Sequence, residues 1–232
     1  MKKKSLPILT ICLFISNAQA EWEFEASPYL YLLNTNANIN SDIYSGTLTR
    51  SFGQILKNLD NAYFFSFSAK NNHWISSFSI THAKLTHNGI IDSIPFSAMA
   101  KYTSLYGATG YQFNITPDLN IDLMAGVRHW AFKSSLSVGD KNESPSKYWV
   151  EPLIIAKTKY QLTPKVSMEL NTEISIHSNN HSRQLGTNIS YGISKNWSAT
   201  IGYKWEYLKP DIDGIDLKIK TNGAVLGGTY RF

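Results

Sequence analysis

The stretch VSMELNTEISIH, residues 166–177, decides the fold class because its side chains alternate between apolar and polar with a period of two. This period predicts a β-strand, since successive side chains of a strand point to opposite faces. The runs Leu185–Ser194 and Trp197–Leu208 repeat the pattern, so the chain is predicted to be all-β. In the first stretch the apolar face consists of Val166, Met168, Leu170, Thr172, Ile174 and Ile176.

The length of these runs favours a membrane barrel over a soluble sandwich. They extend over about 10–12 residues, whereas a typical globular strand has about 5–6 and a transmembrane β-strand needs about 9–11. Their apolar faces begin or end in tryptophan and tyrosine, which concentrate at membrane interfaces. The opposite faces are small and polar, as expected for the lumen of a closed antiparallel transmembrane β-barrel.

Ten segments have this character, so we predict a barrel of about ten strands. Short turns alternate with longer polar stretches at 86–93, 134–147, 178–182 and 210–216, which is typical of periplasmic turns and extracellular loops. An even number of strands places both ends on the periplasmic side; eight or twelve strands also remain possible, because residues 34–61 are ambiguous. The ten segments are Trp22–Leu33, Ala62–Lys70, His73–Leu85, Ile94–Phe113, Leu119–Lys133, Tyr148–Leu162, Val166–His177, Arg183–Ser194, Trp197–Lys209 and Leu217–Phe232.

The ambiguous segment combines loop, strand and helix signals. Residues 34–40 have the asparagine-rich composition of a turn, and a short strand is possible at Thr47–Arg50. Ser51 and Gln54 match a capping box and predict a short amphipathic helix near 52–59, although two turns alone are marginally stable. Such a helix would cap one end of the barrel, plug the lumen or lie on the membrane surface. Its apolar face is Phe52, Ile55, Leu56 and Leu59.

The first 20 residues have the organisation of a secretory signal peptide. Three lysines, Lys2 to Lys4, precede an apolar region and the small-x-small cleavage motif Ala18-Gln19-Ala20. Cleavage there leaves residues 21–232 as a single barrel domain, exported through the periplasm. It also removes Cys12, the single cysteine, and lowers the formal net charge from +5 to about +2, which argues against nucleic acid as a partner.

Twelve charged side chains fall on the polar faces of the strands and are predicted to line the lumen. Because barrels of about 8–10 strands fill their interior with side chains and buried charges need partners, we favour a lumen held by salt bridges. A narrow conduit for small solutes is the alternative. The twelve are Glu23, Glu25, Lys101, Asp122, Arg128, Glu151, Lys157, Lys159, Glu169, Glu173, Lys204 and Glu206.

The sequence gives little support to catalysis. His177 and Ser178 are neighbours near Glu173, yet adjacent residues of a strand point to opposite faces and do not form a nucleophile–base pair. No histidine or carboxylate spacing is typical of a metal site, and no glycine-rich phosphate loop is evident. We therefore predict no catalytic residue, metal or cofactor, and a lipid-modifying enzyme is the least favoured alternative.

Several motifs resemble an uncharacterised family of small Gram-negative outer-membrane barrels. SPYLYLL (27–33), SFGQILKNLD (51–60) and GAVLGGTYRF (223–232) are similar to its PYLW, SFSDIL-x-NLD and GxxxGxxYxF motifs. WVEPLIIAKTKYQL (149–162) and IGYKWEYLKPD (201–211) are similar to its later strands. The resemblance implies an outer-membrane barrel and brings no established activity.

The last strand also carries an expected assembly signal. Tyr230 and Phe232 share its lipid-facing side, and this pair of aromatic residues resembles the signal read by the outer-membrane insertion machinery. We thus expect a monomeric barrel in the outer membrane of a Gram-negative bacterium, with outer-membrane lipids, lipopolysaccharide and that machinery as partners. Its expected role is that of a structural or interaction barrel with a mostly filled lumen.

Overall fold

The computed structural model describes residues 22–41, 45–91, 94–139, 141–144, 146–176, 181–212 and 215–232. The signal peptide predicted at residues 1–20 and the neighbours His177 and Ser178 lie outside this part of the chain. In the described ranges we find no helix long and apolar enough to cross a membrane.

The described residues form thirteen strands and one short helix. The helix, α1 (Phe52–Lys57), lies between β2 and β3. The strands are β1 (Trp22–Ser41), β2 (Ser45–Arg50), β3 (Leu59–Asn71), β4 (Trp74–Ile91), β5 (Ile94–Thr116), β6 (Leu119–Val138), β7 (Lys141–Glu143), β8 (Ser146–Thr163), β9 (Val166–Ser175), β10 (His181–Gly192), β11 (Trp197–Lys209), β12 (Asp211–Ile212) and β13 (Ile215–Arg231).

Ten of these strands form a closed barrel in which every neighbouring pair is antiparallel. The order around the wall is β1, β3, β4, β5, β6, β8, β9, β10, β11 and β13, and the short β2, β7 and β12 pair with β1, β6 and β13. The barrel closes because β13 returns to β1, with a register that runs from Glu25↔Arg231 to Ser41↔Ile215. Closure gives each of the ten wall strands a partner on both sides over at least part of its length. The predicted ten-stranded antiparallel barrel is therefore confirmed.

The two ends of the barrel differ in their connections. Tight turns at 72–73, 117–118, 164–165 and 193–196 lie at one end, where β1 begins and β13 ends; we call this end the turn rim. The opposite end, the hairpin rim, carries the extended hairpin of β4 and β5 and the connections that contain β2 with α1, β7 and β12. Most turn positions were predicted, because asparagine and proline mark them in the sequence.

The strands extend further towards the hairpin rim than the sequence predicted. The prediction of a turn at 34–40 is wrong, because these residues belong to β1 and pair with both β2 and β13. The predicted loops 86–93 and 134–147 are also largely strand, because β4 continues to Ile91 and β6 to Val138. Polar residues do not end a strand here, since an adjacent strand still offers hydrogen-bonding partners to the backbone.

Helix α1 fills a fork in the wall between β1 and β3. The ladder from β1 to β3 ends at Tyr29↔Phe64, and β1 pairs with β2 only from Thr35 onwards. The predicted capping box is present: Ser51 Oγ accepts from the backbone of Gln54, and the Gln54 side chain accepts from the backbone of Ser51. Leu59, predicted on the helix face, instead begins β3.

The position of α1 excludes one of the three placements considered for it, namely a plug inside the lumen. The helix packs against β1, and the Phe52 backbone N–H donates to Oδ1 of Asn34 over 2.9 Å. Asn34 lies on the same face of β1 as Leu30, whose side chain is exposed on the outer wall. The helix therefore lies at the wall of the barrel rather than as a plug inside it.

The outer wall carries an apolar band bounded by aromatic residues. At the turn rim Trp22 stacks on Phe24, and Tyr230 contacts both Trp197 and Phe232. Such a band with aromatic borders is the outer surface of a transmembrane barrel. Exposed members of the band include Leu105, Leu123, Val127, Val150, Ile154, Leu170, Ile174, Leu185, Ile189, Ile201 and Leu226.

Candidate functional site

The candidate site is the lumen, where all the predicted charges except Lys101 lie on inward faces. Asp122 and Glu151 are buried, and Glu23 shares the face of Glu25 at the turn rim, where it is exposed. Lining the cavity described below are Glu25, Arg128, Lys157, Lys159, Glu169, Glu173, Lys204 and Glu206.

Lys101 points outward, contrary to the prediction. Its neighbour Tyr102 lines the lumen, and adjacent residues of a strand face opposite sides. The assignment fails because β5 directs its aromatic residues Tyr102 and Tyr106 inward rather than to lipid. Aromatic residues therefore contribute to the lumen as well as to the membrane border.

The centre of the lumen holds a buried ion pair between Arg128 of β6 and Glu173 of β9. Glu173 also accepts hydrogen bonds from Asn171 over 3.2 Å and from Gln184 over 3.0 Å. The guanidinium lies 5.4 Å from the ring centroid of Tyr106. Because the two charges are paired and Glu173 accepts further hydrogen bonds, the arrangement meets the conditions under which burial of ions is tolerated.

Glu151 is the most deeply buried carboxyl group described, with an exposed fraction of 0%. Its Oε1 accepts from Nε1 of Trp130 over 2.8 Å and from Oγ of Ser182 over 2.5 Å. Glu151 is also the cross-strand neighbour of Arg128. The carboxyl group therefore ties β8 to β6 and β10 across the interior of the barrel.

A hydrophobic layer crosses the lumen on the hairpin-rim side of these charges. Trp130 of β6 and Trp149 of β8 stack with their ring centroids 5.8 Å apart, and Leu208 of β11 packs against them. Tyr102, Phe132 and Ile219 surround this core. Since β5 and β6 face β11 and β13 across the ten-stranded wall, the layer extends over the full width of the lumen. We refer to these six residues as the tryptophan layer.

A polar cavity of about 650 Å³ lies between the tryptophan layer and the turn rim. At its mouth Arg231 donates to Glu25, from Nη2 over 2.5 Å and from Nε over 3.0 Å. Deeper inside, Nζ of Lys157 donates to Ser77 over 3.4 Å. Serine residues form much of its lining: Ser66, Ser68, Ser77, Ser79, Ser104, Ser167, Ser190 and Ser198.

The aromatic lumen residues are what sequence reasoning missed. Ala131 follows Trp130 and Val150 follows Trp149, and both of these outward residues are apolar. The sequence of these segments therefore does not show which face is polar. Arg231 was missed as well: it points to the opposite face of β13 from Tyr230 and Phe232 and pairs with Glu25 on the adjoining strand. The signal would have been the strand register, which the sequence alone does not supply.

Three of the described histidines, His82, His87 and His129, lie on strands beside aromatic or polar neighbours. Tyr63 stacks on His82, which contacts Thr103 over 2.8 Å, and His129 stacks on Tyr148. His87 bonds to Asn58 over 2.8 Å. In the described ranges no three histidine, cysteine or acidic residues are grouped so that they could hold a metal ion.

With this geometry, the molecule belongs to the class of closed antiparallel barrels whose apolar surface faces outward. No family model matches the chain, and no curated protein matches it in sequence. Among solved structures it is similar to the outer membrane protease OmpT from Escherichia coli, with a TM-score of 0.61 and 8% identity over 92% of this chain and 98% of that chain. This similarity establishes an outer-membrane β-barrel fold.

Two further similar structures come from other bacteria. Ail, the attachment invasion locus protein of Yersinia pestis, has a TM-score of 0.41 and 16% identity over 91% of this chain and 98% of that chain. The translocator domain of the autotransporter NalP from Neisseria meningitidis has a TM-score of 0.45 and 11% identity over 93% and 90%.

Proposed function

We propose that the protein is a structural or interaction barrel of a Gram-negative outer membrane. In this proposal it is monomeric and does not transport solutes through its lumen. The observation that carries this proposal is the tryptophan layer. It crosses the lumen from β5 and β6 to β11 and β13 with three buried and three partly buried side chains, and Trp130 has an exposed fraction of only 4%. A barrel closed in this way acts through its outer wall and its hairpin rim rather than through its lumen.

The location is supported by the outer wall. An apolar band with aromatic borders is stable only when lipid covers it, because water would otherwise contact a large hydrophobic surface. We place the turn rim in the periplasm and the hairpin rim outside the cell, since outer-membrane barrels have short periplasmic turns. The resemblance of the chain's motifs to a family of small outer-membrane barrels supports the same location.

Planar-bilayer recording of the refolded protein tests the closed lumen. We expect no stepwise openings over a range of voltages and salt concentrations, because the tryptophan layer crosses the lumen between the cavity and the hairpin rim. Reproducible single-channel steps from a preparation free of other porins would contradict the proposal.

A narrow solute conduit is the second candidate, and the cavity of about 650 Å³ is the observation in its favour. Its serine-rich lining and its opening at the turn rim would suit small polar solutes entering from one side. Transport would require the tryptophan layer to move. Uptake of small solutes into protein-containing vesicles, absent from vesicles alone, would favour this candidate.

The insertion machinery of the outer membrane is the partner that we propose for assembly, with Tyr230 and Phe232 as the recognised pair. Their rings are 4.9 Å apart, and the Phe232 backbone N–H donates to the carbonyl of Phe24 over 3.0 Å. Both aromatic side chains are thus presented on the outer wall where β13 meets β1.

Replacing Phe232 with aspartate should reduce assembly of the barrel in cells several-fold, because a charge replaces an aromatic side chain at the lipid border. The folded fraction is measured by the different migration of heated and unheated samples on gels. Ile176→Asp, on the outer wall near the opposite rim, is the matched control. Equal assembly of the Phe232 variant and the unaltered protein would contradict the assignment.

A further inference from the structure

Three lysines lie side by side on the outer wall near the hairpin rim. In the strand register Lys84 of β4 is opposite Lys101 of β5, and Lys101 is opposite Lys133 of β6. All three point outward, because their neighbours Ala83, Tyr102 and Phe132 are on the inward face. We call these three residues the lysine row.

Like charges placed directly opposite one another on adjacent strands repel and destabilise a sheet. Asp60 neutralises part of the row: its carboxylate lies 2.8 Å from Nζ of Lys84 and accepts from Thr86 over 2.7 Å. Among the side chains that the structure describes, no carboxylate lies within ion-pairing distance of Lys101 or Lys133. The row therefore retains an excess of two positive charges.

Two other lysines at the same rim share one carboxylate. Asp216 pairs with Lys218 over 2.9 Å and with Lys209 over 3.6 Å. The hydrogen bond from Lys218 holds the pKa of the Asp216 carboxyl below its ordinary value, so this carboxylate is charged near neutral pH. Lys220 at the same rim also has no ion pair among the described side chains, so the row is distinguished by three lysines that lie directly opposite one another on adjacent strands.

The row lies just beyond the apolar band. Every second residue of β5 and β6 points outward. Leu105 is the second outward residue from Lys101 towards the turn rim, His129 is the second from Lys133, and Val127 is the next on β6. The ring of Tyr148 is next to the row, with its centroid 5.8 Å from Nζ of Lys133. Tyrosine at this height marks the membrane interface, so the lysines lie at the depth of the lipid headgroups.

We propose that the lysine row binds the phosphate groups of a phosphorylated glycolipid in the outer leaflet of the membrane. The inference rests on the proposed orientation of the barrel, with the hairpin rim outside. Lysine ammonium groups bind phosphate as point charges, and a lipid phosphate at this depth relieves the repulsion between Lys101 and Lys133. A phosphorylated glycolipid whose acyl chains cover the adjoining apolar band contacts the lysines through its phosphates and the band through its chains.

The test compares lipid binding by refolded protein in phosphatidylcholine vesicles that contain lipid A with its phosphates or lipid A from which they have been removed. We expect tighter binding of the phosphorylated form. Replacing Lys101 and Lys133 with glutamine should weaken that binding about 30-fold, since each basic residue near a membrane surface contributes about 1 kcal/mol. Lys84 is left unchanged, because it is paired with Asp60.

The matched control replaces Lys165 and Lys195 with glutamine, which removes the same charge from turns at the opposite rim. Retained binding by this control, together with loss in the Lys101 and Lys133 variant, supports the site. Equal binding of the two lipid A forms overturns it, as does unchanged binding by the Lys101 and Lys133 variant. Equally strong competition by inorganic phosphate overturns the lipid assignment in favour of an unspecific anion site.

Controls in the same experiment distinguish a loss of folding or of membrane insertion from a loss of lipid binding. Gel migration before and after heating reports whether each variant is folded. If the double variant does not fold, lipid binding is measured with the single replacements Lys101→Gln and Lys133→Gln instead. Failure of the unaltered protein to enter vesicles would overturn the proposed membrane location. Insertion without phosphate-dependent lipid binding would overturn only the lysine row.

Discussion

Replacing Arg128 with methionine is expected to lower the free energy of unfolding by about 3–5 kcal/mol. The guanidinium is buried with Glu173, and removing it leaves a carboxylate in the lumen without its counter-charge. The hydrogen bonds from Asn171 and Gln184 remain, yet two neutral donors do not replace a cation. Urea unfolding of the refolded barrel in lipid vesicles, followed by tryptophan fluorescence, measures the change.

Two further variants show whether the loss comes from the broken pair. Arg183→Met makes the same replacement at an exposed position on β10 and should change stability by about 1 kcal/mol or less. Combining Arg128→Met with Glu173→Leu should recover most of the loss, because apolar residues can replace a buried ion pair without a large cost. A single Arg128 variant as stable as the unaltered protein would show that the pair contributes little.

Replacing both Trp130 and Trp149 with alanine is expected to turn a silent barrel into a conducting one. The two stacked rings are the largest side chains of the tryptophan layer, and Leu208 with Ile219 cannot fill the space that they leave. Water would then connect the cavity of about 650 Å³ to the hairpin rim. Planar-bilayer recording should show stepwise openings that are absent from the unaltered protein.

A matched control removes two tryptophans from the outer wall. Trp22 and Trp205 are exposed to the membrane side, with exposed fractions of 54% and 44%, so their replacement by alanine leaves the lumen filled. This control should remain silent. A folded Trp130 and Trp149 double variant that also remains silent would show that the lumen is blocked at another level, and the tryptophan layer would lose its assigned role.

The membrane-embedded part of the fold was predictable because lipid and lumen impose opposite chemistry on alternate residues. Val166 to Ser175 shows this rule throughout its length, and β9 has nearly the predicted bounds. Beyond the membrane both faces of a strand can be polar. Residues 34–41 therefore resemble a turn in composition, although the backbone of β13 holds them in a strand.

The lumen was predictable only in part, because alternation defines two faces without stating which one is inside. Charged residues such as Glu169 and Lys204 identify the inward face where the outward face is purely apolar. On β5 that rule fails, since Tyr102 and Tyr106 are inside and Lys101 is outside. Tyrosine and tryptophan can fill an interior or border a membrane, and only the three-dimensional register separates these uses.

The fork between β1 and β3 has a mechanical consequence for the whole wall. Beyond Tyr29↔Phe64 no ladder joins these two strands, whereas β1 remains paired with β13 up to Ser41. The upper part of β1 and β2 thus form a flap that is joined to the wall by the ladder to β13 and has no ladder to β3, while the end of α1 is tied to β4 by the hydrogen bond from the Thr86 backbone N–H to the carbonyl of Asn58. Local opening of a folded chain begins where the fewest bonds must be lost. If this cylinder ever opens sideways to admit a molecule from the bilayer, the least costly place is this flap.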